Sequence, residues 1–153
     1  MGVQTVIFSL GKEEYGMPIE VVREITRLAE VRPIPEAPAY VQGLINLRGK
    51  ALPVIDLHTR FGVPAPAREE LDKPGERTSE GNSLALIAEV AGALVGFAVD
   101  KVLEVSILDN ILPPPPLITA PFIAGIVNLP NRIIMQLAPE KILDPDELQG
   151  LVP

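Results

Sequence analysis

The chain has 153 residues, 47% hydrophobic and only 4% aromatic, with a formal net charge of −7 and no cysteine. That length suits one compact unit, or two small units packed closely, with a core built mostly from Val, Ile, Leu and Ala. The acidic balance and the scarcity of stacking aromatics argue against a nucleic-acid surface, and the missing cysteines exclude disulfides, thiolate metal sites and cysteine nucleophiles.

The N-terminal stretch MGVQTVIFSLGKEEYG lacks a basic region and a sustained apolar run, so no signal peptide is expected. Short apolar runs rich in Val and Ile, punctuated by Gly and Pro, predict an all-β protein. TVIFSL and YGMPI flank the polar GKEE as a hairpin, and VVREITR follows a single turn around Pro18–Val21. VQGLINL and KALPVIDL form a second hairpin across Arg48 and Gly49, with Gly49 suited to a positive φ. Pro53 predicts an edge strand or a bulge. Residues 64–82 hold five acidic residues, three basic ones and three prolines, and predict an exposed charged loop. The apolar segment from Leu84 to Val99 is shorter than the roughly 20 residues a membrane helix needs. Its Ala91-Gly92-Ala93 makes it a strand, a turn and a second strand. The tail from Pro139 to about residue 149 predicts a short helix with Pro139 in its first turn.

The second half repeats the first. Gly16 and the segment around it recur at Gly96, 80 positions later, and Val22, Glu24 and Ile25 answer Val102, Glu104 and Val105. At a displacement of 82, Tyr40 to Leu47 answers Phe122 to Leu129; the proline run 113–116 answers the connector RPIP at Arg32–Pro35. Two copies of a small β unit of about five strands follow, at roughly 3–63 and 83–138, packed as a single domain over 1–153.

Catalytic constellations are absent from the pattern. His58 is the only histidine and reads as a surface or capping residue. Glu13 and Glu14 sit on a hairpin tip, and Asp56 and Asp100 lie near strand ends, where a two-carboxylate hydrolase would need them to face each other. The glycines are dispersed, with no phosphate-cradling motif. What stands out is a difference between the repeats: Arg48-Gly49-Lys50 in one turn, Pro130-Asn131-Arg132 in the other. Arg48 is either a solvated turn residue or a planar, permanently charged anchor for a partner, needed in one copy only.

The segments VIFSLGKEEYGMPIEVVREI and PIPEAPAYVQGLINLRGKALPVIDLHTRFG, with VGFAVDKVLEV and FIAGIVNLPNRIIMQL, resemble the CheW family of chemotaxis coupling proteins over roughly residues 4–145. The resemblance implies two tandem five-stranded SH3-like β-barrels and a non-catalytic, cofactor-free adaptor. Such a protein works in the cytoplasm at membrane receptor arrays, without entering the membrane. Its implied partners are the regulatory domain of the histidine kinase CheA and the cytoplasmic tip of methyl-accepting chemoreceptors. The family motif carries a receptor contact onto Arg48 and, at a position often basic in relatives, onto Gln42. Val22, Glu24, Gly43 and Gly49 match positions that affect binding of one partner or the other. An adaptor for a related kinase pathway outside chemotaxis is the alternative, and a small β-barrel that binds nucleic acid is the further one.

Overall fold

The computed structural model describes residues 2–28, 30–63, 84–117 and 120–143. The charged segment 64–82 and the tail beyond residue 143 lie outside them. Ten strands run in chain order: β1 (Val3–Leu10), β2 (Glu13–Pro18), β3 (Val22–Arg27), β4 (Val41–Leu47), β5 (Lys50–Asp56), β6 (Leu84–Val90), β7 (Ala93–Val99), β8 (Lys101–Leu108), β9 (Ile123–Leu129) and β10 (Arg132–Leu137). Among the described residues one α-helix, α1 (Leu57–Phe61), follows β5, and 3-10 turns occupy Ile19–Val21 and Pro139–Lys141. Of the expected C-terminal helix, only this last turn falls within the described residues, with Pro139 at its start. No helix among the described residues is long and apolar enough to cross a membrane.

The strands form two five-stranded sheets, in the orders β8-β1-β2-β10-β9 and β3-β6-β7-β5-β4. Each sheet rolls around its own apolar cluster. Ile7, Leu108, Val127 and Ile134 fill the first barrel; Ile45, Leu52, Val54, Ala85 and Ile87 fill the second. Backbone bridges of equivalent position, Leu112 with Ile126 and Arg32 with Leu44, tie the chain after β8 to β9 and the chain after β3 to β4.

The barrels do not coincide with the sequence halves 3–63 and 83–138. The hairpin β1–β2 shares its sheet with β8, β9 and β10 of the other half, pairing with β8 and β10, while β6–β7 shares its sheet with β3, β4 and β5, pairing with β3 and β5. The repeat is nevertheless obeyed to the residue. Ile7 faces Gly16 as Ile87 faces Gly96, and β4 and β9 share one alternating pattern of burial. Strand exchange preserves every local pairing of the repeat, because only the identity of the neighbouring half changes. The 3-10 turn Ile19–Val21 and the single residue Asp100 carry the chain from one sheet to the other.

Exchange places the hairpins β1–β2 and β6–β7 centrally, each with one face in its own barrel and the other against the opposite barrel. Both faces are therefore apolar, and β1 buries four consecutive residues, Thr5 to Phe8. Between the barrels lies the largest core, formed by Val6, Phe8, Leu10, Tyr15 and Met17 on one side and Leu86, Ala88, Val90, Val95, Phe97 and Val99 on the other. All six aromatic residues are in this core or packed against it. Phe8, Tyr15, Phe61 and Phe122 form a ladder across it with centroid separations of 6.0, 5.3 and 4.3 Å. Burial there, with the nearby Glu13 charge, raises the pKa of the Tyr15 phenol.

Two local features differ from the sequence-based expectation. Pro53 lies in β5, between β7 and β4, not on an edge. The strand tolerates it because parallel pairing with β7 starts at Val54, and the bulge falls on β4 between Val41 and Gly43. Leu57, expected as the end of that strand, instead begins α1, whose five residues are too few to show a helical period.

The first barrel carries a polar pair where the second is apolar. Gln136 is 5% exposed; its amide donates weakly to the Thr5 hydroxyl at 3.5 Å, and its carbonyl oxygen has no partner. Val54 and Ala85 occupy the matching positions. Gln136→Leu should therefore raise unfolding stability in urea by about 1 kcal/mol, since an unpaired buried acceptor is removed. Phe97→Ala should lower it by about 3–5 kcal/mol, still in a single transition, because both barrels share the cavity it leaves.

Candidate partner-binding site

Arg48 and Gly49 form the two-residue turn between β4 and β5, both at positive φ (50° and 84°). Such a turn matches the right-handed twist of the strands it joins. Gly49 supplies this conformation at little cost, and its N–H is held by the Asn46 side chain at 3.0 Å. The turn projects Arg48 across the open seam of the second barrel to Glu24 on β3. The pair is bidentate, Nη1 to Oε2 at 2.5 Å and Nη2 to Oε1 at 3.0 Å. Hydrogen bonding to Glu24, aided by its charge, raises the guanidinium pKa still further. Arg48 remains 73% exposed while Glu24 is 27% exposed, so the carboxylate fixes the fork in place and leaves much of it open to solvent.

The structure thus brings together two of the residues singled out in the sequence. Gly43 and Gln42 lie at the far end of β4, about 20 Å from the turn at ~3.3 Å per residue. Gly43 sits at the bulge with φ 152°, and a Cβ there would stand 2.3 Å from the Arg32 carbonyl oxygen. Its role is to let β4 approach the segment before it. Gln42 is exposed. Val22 is half-buried, pairs with Ala88 and packs against the inter-barrel core. These residues lie along both edges of the second barrel and do not converge on one point.

The second seam also carries an arginine. Arg132, at the position matching Lys50, binds Glu14 and reaches Glu104, the counterpart of Glu24, at 3.3 Å. Its hydrogen bonds to Glu14 hold it firmly protonated. Both barrels therefore close their seams with an arginine–glutamate clamp. The difference is accessibility: Arg132 is 27% exposed, between two carboxylates. Pro130, confined to negative φ, cannot adopt the turn that lifts Arg48 into solvent.

A cleft of about 620 Å³ opens at the second barrel's seam, lined by Leu44, Ile45 and Leu47 of β4, Thr26 and Arg27 of β3, and Arg32 of the segment that follows. A cleft of about 480 Å³ at a different place on the first barrel lies between the β1–β2 turn residues Lys12–Glu14 and Asn128–Ile133. At the first barrel's own seam, Ile107, Leu112 and Ile133 are 66%, 55% and 55% exposed. The repeat displacements place Ile107 and Leu112 where the second barrel has Arg27 and Arg32, and Ile133 where it has Ala51. These three differences between the copies were missed in the sequence, where Arg32 was aligned with Pro113; the bridges Arg32–Leu44 and Leu112–Ile126 set the equivalence with Leu112.

The acidic candidates for catalysis have structural partners. Asp56 caps α1, accepting from the His58 N–H at 3.1 Å and the Thr59 hydroxyl at 2.9 Å. His58 is not a surface residue: its side chain is 13% exposed, with Nε2 2.9 Å from Asp100 and Nδ1 3.2 Å from the Val63 carbonyl. Asp100 also accepts the Gly11 N–H at 2.6 Å, so this contact joins the first barrel's hairpin to the helix after the second barrel. Among the described residues, no three His, Asp or Glu side chains are grouped to hold a metal.

A family model described as CheW-like domain matches residues 4–147. A chemotaxis protein CheW of Treponema pallidum is 36% identical over 153 residues, 97% of this chain and 86% of that one. A probable chemotaxis protein CheW of Rhizobium etli is 32% identical, covering 96% and 91%. The crystal structure of the scaffolding protein TtCheW from Thermoanaerobacter tengcongensis superposes with a TM-score of 0.78 at 35% identity, covering 96% of both chains.

The geometry separates shape from contact. Arg48→Ala should leave the thermal unfolding midpoint nearly unchanged, as its pairing is solvent-screened. Gly43→Ala should cost about 2–4 kcal/mol, because the clash is with backbone. A calorimetric comparison of the two variants checks both.

Proposed function

Because the chain belongs to the CheW-like domain family, a family of chemotaxis scaffold and adaptor proteins, we propose that it couples chemoreceptors to the histidine kinase CheA without catalysing a reaction. In this reading it works in the cytoplasm, recruited to receptor arrays at the membrane. One barrel surface meets the regulatory domain of the kinase and another meets the cytoplasmic tip of the receptor. The observation that carries the proposal is the Arg48–Glu24 clamp, a charged fork immobilised at a barrel seam yet 73% exposed. A fork already ordered in its binding geometry loses little side-chain entropy on meeting a partner, which favours its use as an anchor.

Two further features support a two-partner adaptor. The repeat supplies two barrel ends of similar shape, and their accessible residues differ in chemistry. The acids that would serve a hydrolase, Asp56 and Asp100, are engaged in a helix cap and an inter-barrel contact. Receptor contact is assigned to Arg48 with Gln42. Val22 and Glu24 are assigned to partner binding directly, and Gly43 and Gly49 through the backbone shape they permit.

Arg48→Ala should weaken binding of a soluble receptor-tip fragment by at least about ten-fold, the cost of a lost charge-assisted hydrogen bond. Binding of the kinase regulatory domain should change much less. Calorimetric titration with each partner measures both, and unaltered receptor affinity would remove Arg48 from the site.

A further inference from the structure

The two barrel ends are equivalent in backbone and opposite in character. At the first, Ile107 and Leu112 are the exposed groups; at the second, the same positions hold Arg27 and Arg32. Neither guanidinium has a hydrogen-bond or ion-pair partner among the described residues, whereas Arg23, Arg48 and Arg132 are each tied to glutamate. In a chain of net charge −7, two unpaired arginines on one cleft are a local reversal of sign. One carboxylate, Glu30, shares the lining, leaving the cleft with an excess of positive charge. Leu44, half-buried on β4, lies beside Arg32, to which it is bridged through the backbone. Free arginines beside an aliphatic side chain match an extended segment that carries both carboxylate and aliphatic side chains.

We propose that the seam cleft of the second barrel binds an acidic, extended protein segment, with its carboxylates paired by Arg27 and Arg32 and an aliphatic side chain seated on Leu44. This goes beyond the adaptor reading by giving one partner surface a chemical class, and rests on that reading only for which partner supplies the segment. A nucleic-acid strand would offer the same negative charge, but the residues lining the cleft include no aromatic ring for its bases to stack on.

The test is an NMR titration of the isotope-labelled protein, following backbone amides and arginine Nε–H groups. The probes are acetyl-Glu-Leu-Glu-Leu-Glu-amide, the same peptide with glutamine for glutamate, and an oligo-dT strand. The glutamate peptide should perturb Thr26, Arg27, Arg32 and Leu44 with roughly millimolar affinity, and the glutamine peptide should bind at least about ten-fold more weakly. Arg27→Gln combined with Arg32→Gln should abolish the response while leaving the rest of the spectrum in place. Equal binding of both peptides, perturbation centred on Ile107 and Leu112, tighter binding of oligo-dT, or no perturbation at all would each overturn the proposal. Failure of the adaptor reading is distinguishable: it is loss of binding to the kinase and receptor proteins, with the peptide result intact.

Discussion

The rest of the structure depends on the apolar face shared by the two barrels. Neither half of the chain completes a barrel alone: each lends its first hairpin to one sheet and three strands to the other. The interface between the sheets is thus also the centre of the fold, and it holds Phe8, Tyr15 and Phe97 fully or almost fully buried. Fixing this face sets the relative position of the two seams. A partner docked at one barrel end then meets a rigid body, not a hinged pair of domains. The contact from His58 through Asp100 to Gly11 reinforces that rigidity where the chain crosses between sheets.

An internal repeat gives a protein two similar surfaces at little cost in sequence information, and divergence then gives each its own chemistry. Here the backbone ladder is kept residue for residue, while the positions that do not support it have drifted. Arg48 projects and Arg132 is sequestered, though both clamp their seam to a glutamate at the same repeat position. Arg27 and Arg32 face solvent where Ile107 and Leu112 stand in the other copy. Core positions could not diverge so freely, because both faces of the central strands are packed. The Thr5–Gln136 pair is the exception, a polar contact inside one barrel against Ala85 and Val54 in the other.

Much of this was legible in the sequence, for identifiable physical reasons. Strands such as β4 and β9 show as apolar runs because they alternate against a core, and the turn at Arg48-Gly49 shows because glycine marks positive φ. The repeat displacement fixed the equivalences that the sheets later obeyed. Strand exchange was not legible, since a hairpin's local pattern is the same whichever half supplies its neighbour. Helix α1 was too short to register, and Pro53 misled because a proline's cost depends on where the adjacent ladder begins. At the site, the Arg48 turn and Glu24 were singled out separately; their pairing needed the barrel to close. The two arginines at the seam were hidden by their neighbourhood, reading as the polar face of a strand and the start of a proline-rich connector.

The central claim is that one rigid body holds two partners at once, on separate surfaces. Sedimentation velocity on a mixture of this protein, the CheA regulatory domain and a receptor-tip fragment tests it most directly. The account predicts a ternary species larger than either binary complex, with neither partner displacing the other. Binary complexes alone, each lost as the other partner is added, would mean that the two compete for one surface, and would contradict it.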